Sequence, residues 1–162
     1  MMIALLTVGI AVLVGIDQLV KYWTVINLKP VGTMDFIKFG DFRIIDLTYV
    51  ENRGAIFGSM AGHQWFLIGF TSVVILACIA AMIKFRKRSK LLTAAIALFI
   101  AGGIGNLIDR IRLNYVVDMF EIKLFDFAVF NVADICVTCA FVMMIFYMFF
   151  VEPKIEKQKK SE

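Results

Sequence analysis

The sequence predicts an all-α integral membrane protein with four transmembrane helices, a small extracytoplasmic β-sheet and a short surface helix. Three observations support this fold class. Hydrophobic residues make up 61% of the 162 residues and charged residues 19%, whereas soluble domains have about 45–50% and about 25%. The apolar residues form blocks of the length that a bilayer requires, about 20 helical residues. The basic residues cluster beside those blocks.

Four apolar segments have the required length: Met2–Trp23, Trp65–Ile83, Leu91–Ile108 and Phe130–Val151. We expect Pro153 to end the fourth helix, because a proline inside a helix removes a backbone hydrogen bond. No Lys or Arg precedes the first segment and no convincing cleavage site follows it, so we interpret it as a retained span and not a signal peptide. The sequence therefore predicts one membrane domain over residues 1–151.

The orientation follows from the basic residues. Nine of the 17 Lys and Arg residues lie in Lys84–Lys90 and Lys154–Lys160. Short loops rich in Lys and Arg stay on the cytoplasmic side, so we expect both termini inside, with residues 152–162 as a charged cytoplasmic tail that is disordered after Pro153. Segments 24–64 and 109–129 then lie outside. A nucleic-acid partner is not predicted, since the basic clusters flank apolar runs and do not form one face of a folded domain.

The outer segments carry β-patterns. Phe36–Phe39 and Phe42–Ile45, separated by Gly40-Asp41, are typical of a hairpin with a two-residue turn. Val116–Leu124 alternates between apolar and polar residues and places Asp118 on its apolar face. A short helix is also expected near Gly54–Gly62, although several glycines weaken that prediction. Together these elements predict a small amphipathic sheet and a helix on the membrane surface.

With this topology, the polar residues in or beside the spans converge on the outer leaflet. They are Asp17, Lys21, Asn106, Asp109, Arg110, Asn131 and Asp134, and the block Glu51-Asn52-Arg53-Gly54 and Asp118 lie in the outer segments themselves. Such groups are costly at membrane depth and are retained for partners or for function. Helical spacing places Asn106, Asp109 and Arg110 on one face. Gly102 and Gly105 would let another backbone approach the third span closely.

Each polar group also has a structural interpretation. Asp17 and Lys21 are compatible with an ion pair that snorkels to the interface. Asp109 is compatible with an ion pair to Arg110 or Arg112. Asn131 and Asp134 have the spacing of a helix N-cap. Asp118 is compatible with a solvated loop carboxylate, but its position on the apolar face of an alternating strand argues against that interpretation.

The available chemistry is narrowed by the motifs that the sequence lacks. His63 is the only histidine and has no ligand cluster around it, so no metal site is predicted. Cys78, Cys136 and Cys139 lie in apolar runs and are interpreted as packing residues. No serine-hydrolase, zinc-protease or nucleotide-binding motif is present. Two carboxylates that share one proton are able to hydrolyse a peptide bond without a cofactor.

Five blocks of the sequence closely resemble the bacterial lipoprotein signal peptidases, also called signal peptidase II. The blocks occur in the family's order and are Asp17–Lys21, Asn52–Phe57, Gly105–Arg110, Val116–Asp118 and Phe130–Asp134. The four-span layout matches as well, from Met1 to about Val151. One departure is Ile56, where the family commonly has alanine. It could alter packing near the substrate but removes no polar group.

The resemblance implies an aspartyl intramembrane endopeptidase that cleaves bacterial prolipoproteins before the diacylglyceryl-modified cysteine. It assigns Asp118 and Asp134 as the catalytic pair, without saying which carries the proton. Positions that bind substrate or shape the site are Asn52, Gly54, Asn106, Asp109, Arg110 and Asn131; Asp17, Lys21 and Gly105 have supporting roles. The expected setting is a monomer in the bacterial cytoplasmic membrane, with its site near the outer leaflet, no cofactor, and membrane lipid and prolipoproteins as partners.

Three other functions fit parts of the pattern. A proton or ion transporter also uses intramembrane carboxylates, but its relay should cross the membrane, and the inner halves of the four spans carry no charge. A non-catalytic scaffold predicts ion pairs, but not two aspartates that reach one water. A presenilin-like protease needs Gly-x-Gly-Asp, where this chain has Gly103-Ile104-Gly105-Asn106.

Overall fold

A computed structural model describes residues 2–54 and 62–161, the side chains of 159–161 excepted. The elements are α1 (Met2–Trp23), β1 (Thr33–Phe39), β2 (Phe42–Asn52), α2 (Gln64–Phe85), α3 (Lys90–Leu113), β3 (Val116–Ile122), α4 (Val132–Phe146) and α5 (Glu152–Ser161). Four of the described helical segments are long and apolar enough to cross a membrane. The four predicted spans and the small sheet are therefore confirmed. The helix expected near Gly54–Gly62, with Ile56, falls on residues outside the described ranges.

The helices extend beyond the predicted boundaries. The first continues through a π-helical turn, Thr24–Leu28, and α3 continues to Leu113. A second π-helical turn, Tyr147–Val151, joins α4 to α5, and the Glu152 N–H donates to the Tyr147 carbonyl across it. The prediction that Pro153 ends the helix is wrong, and the expected disordered tail is helical as far as Ser161. Pro153 lies in the first turn of α5, where a missing N–H is tolerated.

The third span, α3, lies at the centre of the helices and packs against α1, α2 and α4. On one side Ile75 and Met82 of α2 form a core with Ile96 and Ile100 of α3. On the other side Gly102 faces the backbone of α4, where a Cβ would overlap the Ala133 carbonyl oxygen. The predicted close approach to the third span is thus confirmed, and it is α4 that approaches.

The three strands form an antiparallel sheet in the order β1-β2-β3. Gly40 has a φ of +58°, as the first position of a two-residue hairpin turn of type II′ requires. The predicted hairpin is confirmed, with Phe39 opposite Phe42. The pairing of β2 with β3 places Asn52 opposite Val116 and Val50 opposite Asp118. This register brings the end of β2 to the carboxylate of Asp118.

Two short connections bring the strand and the helix ends together. Asn114 ends α3 in the left-handed conformation, with φ 61°, and its N–H donates to the Arg110 carbonyl. The chain therefore reverses directly from α3 into β3. After β3, Phe130 exchanges backbone hydrogen bonds with Phe120, at 2.8 and 3.1 Å, just before α4 begins. The outer end of α3, β3 and the first turn of α4 consequently meet.

Candidate active site

Asp118 lies on β3 and is held by two side-chain amides. Its exposed fraction is 1%. Asn131 Nδ2 donates to Asp118 Oδ1 at 2.6 Å, and Asn52 Nδ2 donates to Oδ2 at 3.0 Å. The Gly54 N–H donates to Asn52 Oδ1 at 3.0 Å, which fixes the orientation of that amide. Asp118 is therefore a buried carboxylate with both oxygens engaged, and not a solvated loop residue.

Asp134 lies in the first turn of α4, and the predicted N-cap is confirmed. The Asp134 N–H donates to Asn131 Oδ1 at 2.9 Å, and the Asn131 N–H donates to Asp134 Oδ2 at 3.1 Å, which completes a capping box. The second carboxylate oxygen, Oδ1, accepts from Asn106 Nδ2 at 2.8 Å. Asn131 thus belongs both to the helix cap and to the site, since its side chain also bonds to Asp118.

Both aspartates line one cavity of about 550 Å³. Its other polar lining residues are Asn52, Asn106, Arg110 and, on α4, Thr138. The remaining wall is formed by β3, by the segment before α4 and by α4 itself: Val116, Ile122, Phe127, Ala128, Val129, Phe130, Ile135, Val137 and Cys139. The cavity therefore combines a small polar end, which holds the two carboxylates, with a largely apolar wall. Such a wall suits a hydrocarbon or apolar peptide ligand.

The two carboxylates interact electrostatically. Burial raises the pKa of Asp118, and the neighbouring Asp134 carboxylate raises it further, to about 7. Hydrogen bonds from Asn52 and Asn131, and the charge of Lys21, oppose this shift. A carboxyl group with this pKa keeps its proton at mildly acidic pH, where an ordinary aspartic acid has lost it. The pair is therefore able to hold one proton near neutral pH.

Arg110 reaches the cavity, and Asp109 points away from it. Arg110 Nη2 donates to the Gly54 carbonyl at 3.2 Å, and its Nε is buried without a hydrogen-bond partner among the described residues. The sequence suggested an ion pair between Asp109 and Arg110 or Arg112, but Asp109 pairs with neither of them. It pairs with Lys21 at 3.0 Å and accepts the Val117 N–H at 3.1 Å. Sequence spacing within α3 could not identify a partner on α1.

Asp17 and Lys21 form a buried cluster with Asp109. Lys21 Nζ lies 3.0 Å from Asp17 Oδ2, and the exposed fractions are 1% for Asp17 and 3% for Lys21. The pair does not snorkel to the interface, so that interpretation is wrong. Asp17 Oδ1 also accepts the Ala133 N–H at 2.9 Å. The cluster therefore ties α1 to α3 and to the N-terminus of α4, which carries Asp134.

Gly105 makes room for this cluster. A Cβ at this position would lie 2.6 Å from Asp17 Oδ2 and 3.1 Å from the Ala133 Cβ. Because α1 and α4 both approach α3 here, only a residue without a side chain fits. The structure thus explains the glycine that the sequence placed among the supporting residues.

Gln18 is a member of the cluster that the sequence analysis did not single out. Its Nε2 lies within hydrogen-bond distance of Asp17 Oδ2, the Gly105 carbonyl and Asp109 Oδ1, at 3.2, 3.2 and 3.0 Å. The available signal was an uncharged polar residue between Asp17 and Lys21 in an otherwise apolar helix. Periodicity could not show that Gln18 faces α3.

The other chemically distinctive residues do not join the site as ligands. Within residues 2–54 and 62–161, no three His, Cys, Asp or Glu side chains are grouped in a way that would hold a metal ion. Cys136 and Cys139 are free thiols, with Cys136 buried and Cys139 exposed on the cavity wall. The geometry therefore offers acid–base chemistry by two carboxylates, supported by amides and one guanidinium.

Comparison with known proteins gives consistent matches. The family model described as signal peptidase (SPase) II matches residues 9–150. The chain is 40% identical over 153 residues to the lipoprotein signal peptidase of Clostridium acetobutylicum, covering 93% of this chain and 96% of that protein. It is 39% identical over 138 residues to that of Streptococcus thermophilus, covering 85% and 88%.

Two solved structures share the fold. Both are described as bacterial membrane enzymes solved by the in meso method, and both superimpose with a TM-score of 0.82. The first is 27% identical and covers 90% of this chain and 88% of its own. The second is 26% identical and covers 92% and 95%. The similarity thus extends over nearly the whole chain.

Proposed function

Because this chain belongs to the signal peptidase II family, we propose that it removes the signal peptides of bacterial prolipoproteins as an aspartyl endopeptidase. The cleaved bond is the one before the diacylglyceryl-modified cysteine. The observation that carries the aspartyl mechanism is the convergence of Asp118 and Asp134 on one cavity, where Asn131 bonds to both carboxylates. Asp118 and Asp134 are the proposed catalytic residues.

The proposed reaction uses one proton held by the pair. The ionised carboxylate removes a proton from water, and the water oxygen attacks the scissile carbonyl carbon. The protonated carboxyl group donates to the carbonyl oxygen and stabilises the tetrahedral intermediate. Collapse of the intermediate breaks the C–N bond, and the pair returns a proton to the leaving amine of the cysteine. The pKa of Asp118, raised to about 7, supports retention of that proton near neutral pH.

The surrounding polar residues have different proposed tasks. Asn52 and Arg110 line the cavity, Gly54 bonds to both of them, and the three residues hold the substrate backbone. Asn106 and Asn131 orient the two carboxylates. The buried cluster of Asp17, Lys21 and Asp109, with Gly105, holds α1, α3 and the N-terminus of α4 together.

The membrane setting fits this substrate. We infer that both termini face the cytoplasm and that the site lies near the outer leaflet of the bacterial cytoplasmic membrane, because the basic loop Lys84–Lys90 lies at the opposite end of the spans. The apolar cavity wall accommodates hydrocarbon while the scissile bond stays at the polar end. Confinement of a monomeric enzyme and its substrate to one leaflet also reduces the entropy cost of their encounter.

A reconstituted system tests this function. The purified chain in liposomes is given two synthetic precursor peptides of identical sequence, one with a diacylglyceryl cysteine and one with an unmodified cysteine. We expect cleavage of the modified peptide alone, and mass spectrometry should place the cut directly before the cysteine. Equal cleavage of the two peptides, or a cut elsewhere, would contradict the proposed substrate class.

A further inference from the structure

The ammonium group of Lys21 is fully used inside the protein. Its Nζ lies 3.0 Å from Asp17 Oδ2, 3.0 Å from Asp109 Oδ2 and 2.9 Å from Asn106 Oδ1. A lysine ammonium has three N–H donors and no acceptor; this one donates a hydrogen bond to Asn106 Oδ1, and the two carboxylates are its ion-pair partners. Two of these partners balance its charge, and the third is an uncharged amide beside the catalytic pair.

The contact with Asn106 fixes which way that amide points. Because Lys21 can only donate, the Asn106 atom that faces it must be the oxygen. The amide nitrogen is thereby turned towards Asp134 and donates to Oδ1 at 2.8 Å. Asn131 Nδ2 donates to the same Asn106 oxygen at 3.1 Å, but it also serves Asp118. The charged donor, Lys21, provides the stronger of the two constraints.

We propose that Lys21 is a positioning residue for the hydrolysis, which holds the Asn106 amide with its nitrogen towards Asp134, and that Gln18 keeps Lys21 in place. Gln18 bonds to Asp109 Oδ1 at 3.0 Å and to Asp17 Oδ2 at 3.2 Å, the two carboxylates that flank the ammonium. A hydrogen bond to a carboxylate stabilises its negative charge, so the Asn106 amide supports the catalytic pair when the pair removes a proton from water. This inference rests on the proposed function.

A charge-matched variant separates the positioning role of Lys21 from the effect of its positive charge on the catalytic pair. The charged groups around the pair are Asp17 and Lys21 on α1, Asp109 and Arg110 on α3, Asp118 on β3 and Asp134 on α4. Asp17, Lys21 and Asp109 together carry a charge of −1, from two carboxylates and one ammonium. The double variant Lys21→Met/Asp109→Asn keeps −1, since one carboxylate remains, but lacks the donor to Asn106.

The measured quantity is the pH dependence of kcat for the lipidated peptide. For the double variant we expect kcat to fall and the acid limb of the profile to move to higher pH by about one unit, with KM changed less than about twofold. Lys29→Met is the matched control, because Lys29 follows α1 and pairs with Glu51 but does not contact Asn106. Its profile should match that of the wild type. A lower kcat with an unmoved acid limb in the double variant would overturn the positioning role.

A second readout does not depend on activity. Infrared titration of the carboxyl bands that Asp118→Asn and Asp134→Asn remove should show the catalytic pair taking up its proton at higher pH in the double variant than in the wild type. If the wild type cleaves nothing, the proposed function fails, and this titration still decides the positioning role. If the double variant does not fold, Gln18→Leu replaces it, with a smaller shift in the same direction expected and an unchanged titration counting against the inference.

Discussion

Gly105 offers a sharp test of how the supporting cluster is packed. It lies on α3 where α1 and α4 both come close, and a Cβ there would meet Asp17 Oδ2 at 2.6 Å and the Ala133 Cβ at 3.1 Å. Asp17 cannot simply rotate away, because its carboxylate forms an ion pair with Lys21 and accepts a hydrogen bond from the Ala133 N–H. We therefore expect Gly105→Ala to displace α4 and to break this hydrogen bond.

The expected change in the free energy of unfolding of Gly105→Ala is the sum of one favourable and two unfavourable contributions. Alanine gains about 1 kcal/mol over glycine inside a helix. Overpacking costs about 1–3 kcal/mol, and loss of a buried hydrogen bond to a charged group costs about 1.5–3 kcal/mol. With both costs incurred, the net destabilisation is about 1.5–5 kcal/mol. Because Ala133 is adjacent to Asp134, turnover should fall as well.

The measurement is the free energy of unfolding in detergent micelles, together with turnover of the lipidated peptide. Gly15→Ala is the matched control, since Gly15 lies on α1 at a point where an added Cβ would have no neighbouring atom within 4 Å. It should be neutral or stabilising by up to about 1 kcal/mol, with normal turnover. Wild-type stability and turnover in Gly105→Ala would refute this description of the cluster.

Two further predictions concern the pair and its cap. Turnover should fall as pH rises through about 7, because the raised pKa of Asp118 makes the pair lose its proton there; the pH dependence of kcat/KM measures this, and constant activity up to about pH 9 would contradict it. Asn131→Ala should cost about 1 kcal/mol for the lost N-cap and abolish most turnover, since Asn131 also holds Asp118. Ser89→Ala, which removes the cap of α3, should lose stability alone; equal losses of turnover in both variants would argue against the role of Asn131.

The spans and the hairpin were predictable because their signals are local. A bilayer requires a fixed helix length, and the apolar blocks have that length. The turn at Gly40 depends on two residues and their flanking strands. Helix ends were less predictable. The π-helical turn at Tyr147–Val151 carries no sequence signal that we could use, and the helix that follows it has Pro153 in its first turn.

The polar residues likewise divide into those with local partners, which were predictable, and those with partners on distant elements, which were not. The N-cap of Asn131 and Asp134 is a matter of local spacing and is present as predicted. The partner of Asp109 is Lys21, on a helix that is distant in the sequence, and spacing within one helix cannot identify it. Whether Lys21 snorkels or is buried also depends on packing between helices, which a single sequence does not determine. Topology indicated which residues converge, and only the structure shows which atoms they share.

The central claim is that Asp118 and Asp134 together activate the water. The direct measurement is the rate of cleavage of a diacylglyceryl-modified precursor in liposomes by Asp118→Asn and by Asp134→Asn, each checked for wild-type thermal stability. Asparagine keeps the shape of the side chain but can neither accept nor supply the shared proton. We predict that each variant loses cleavage by a factor of about 10³ or more. Substantial turnover by either folded variant would contradict the two-carboxylate mechanism.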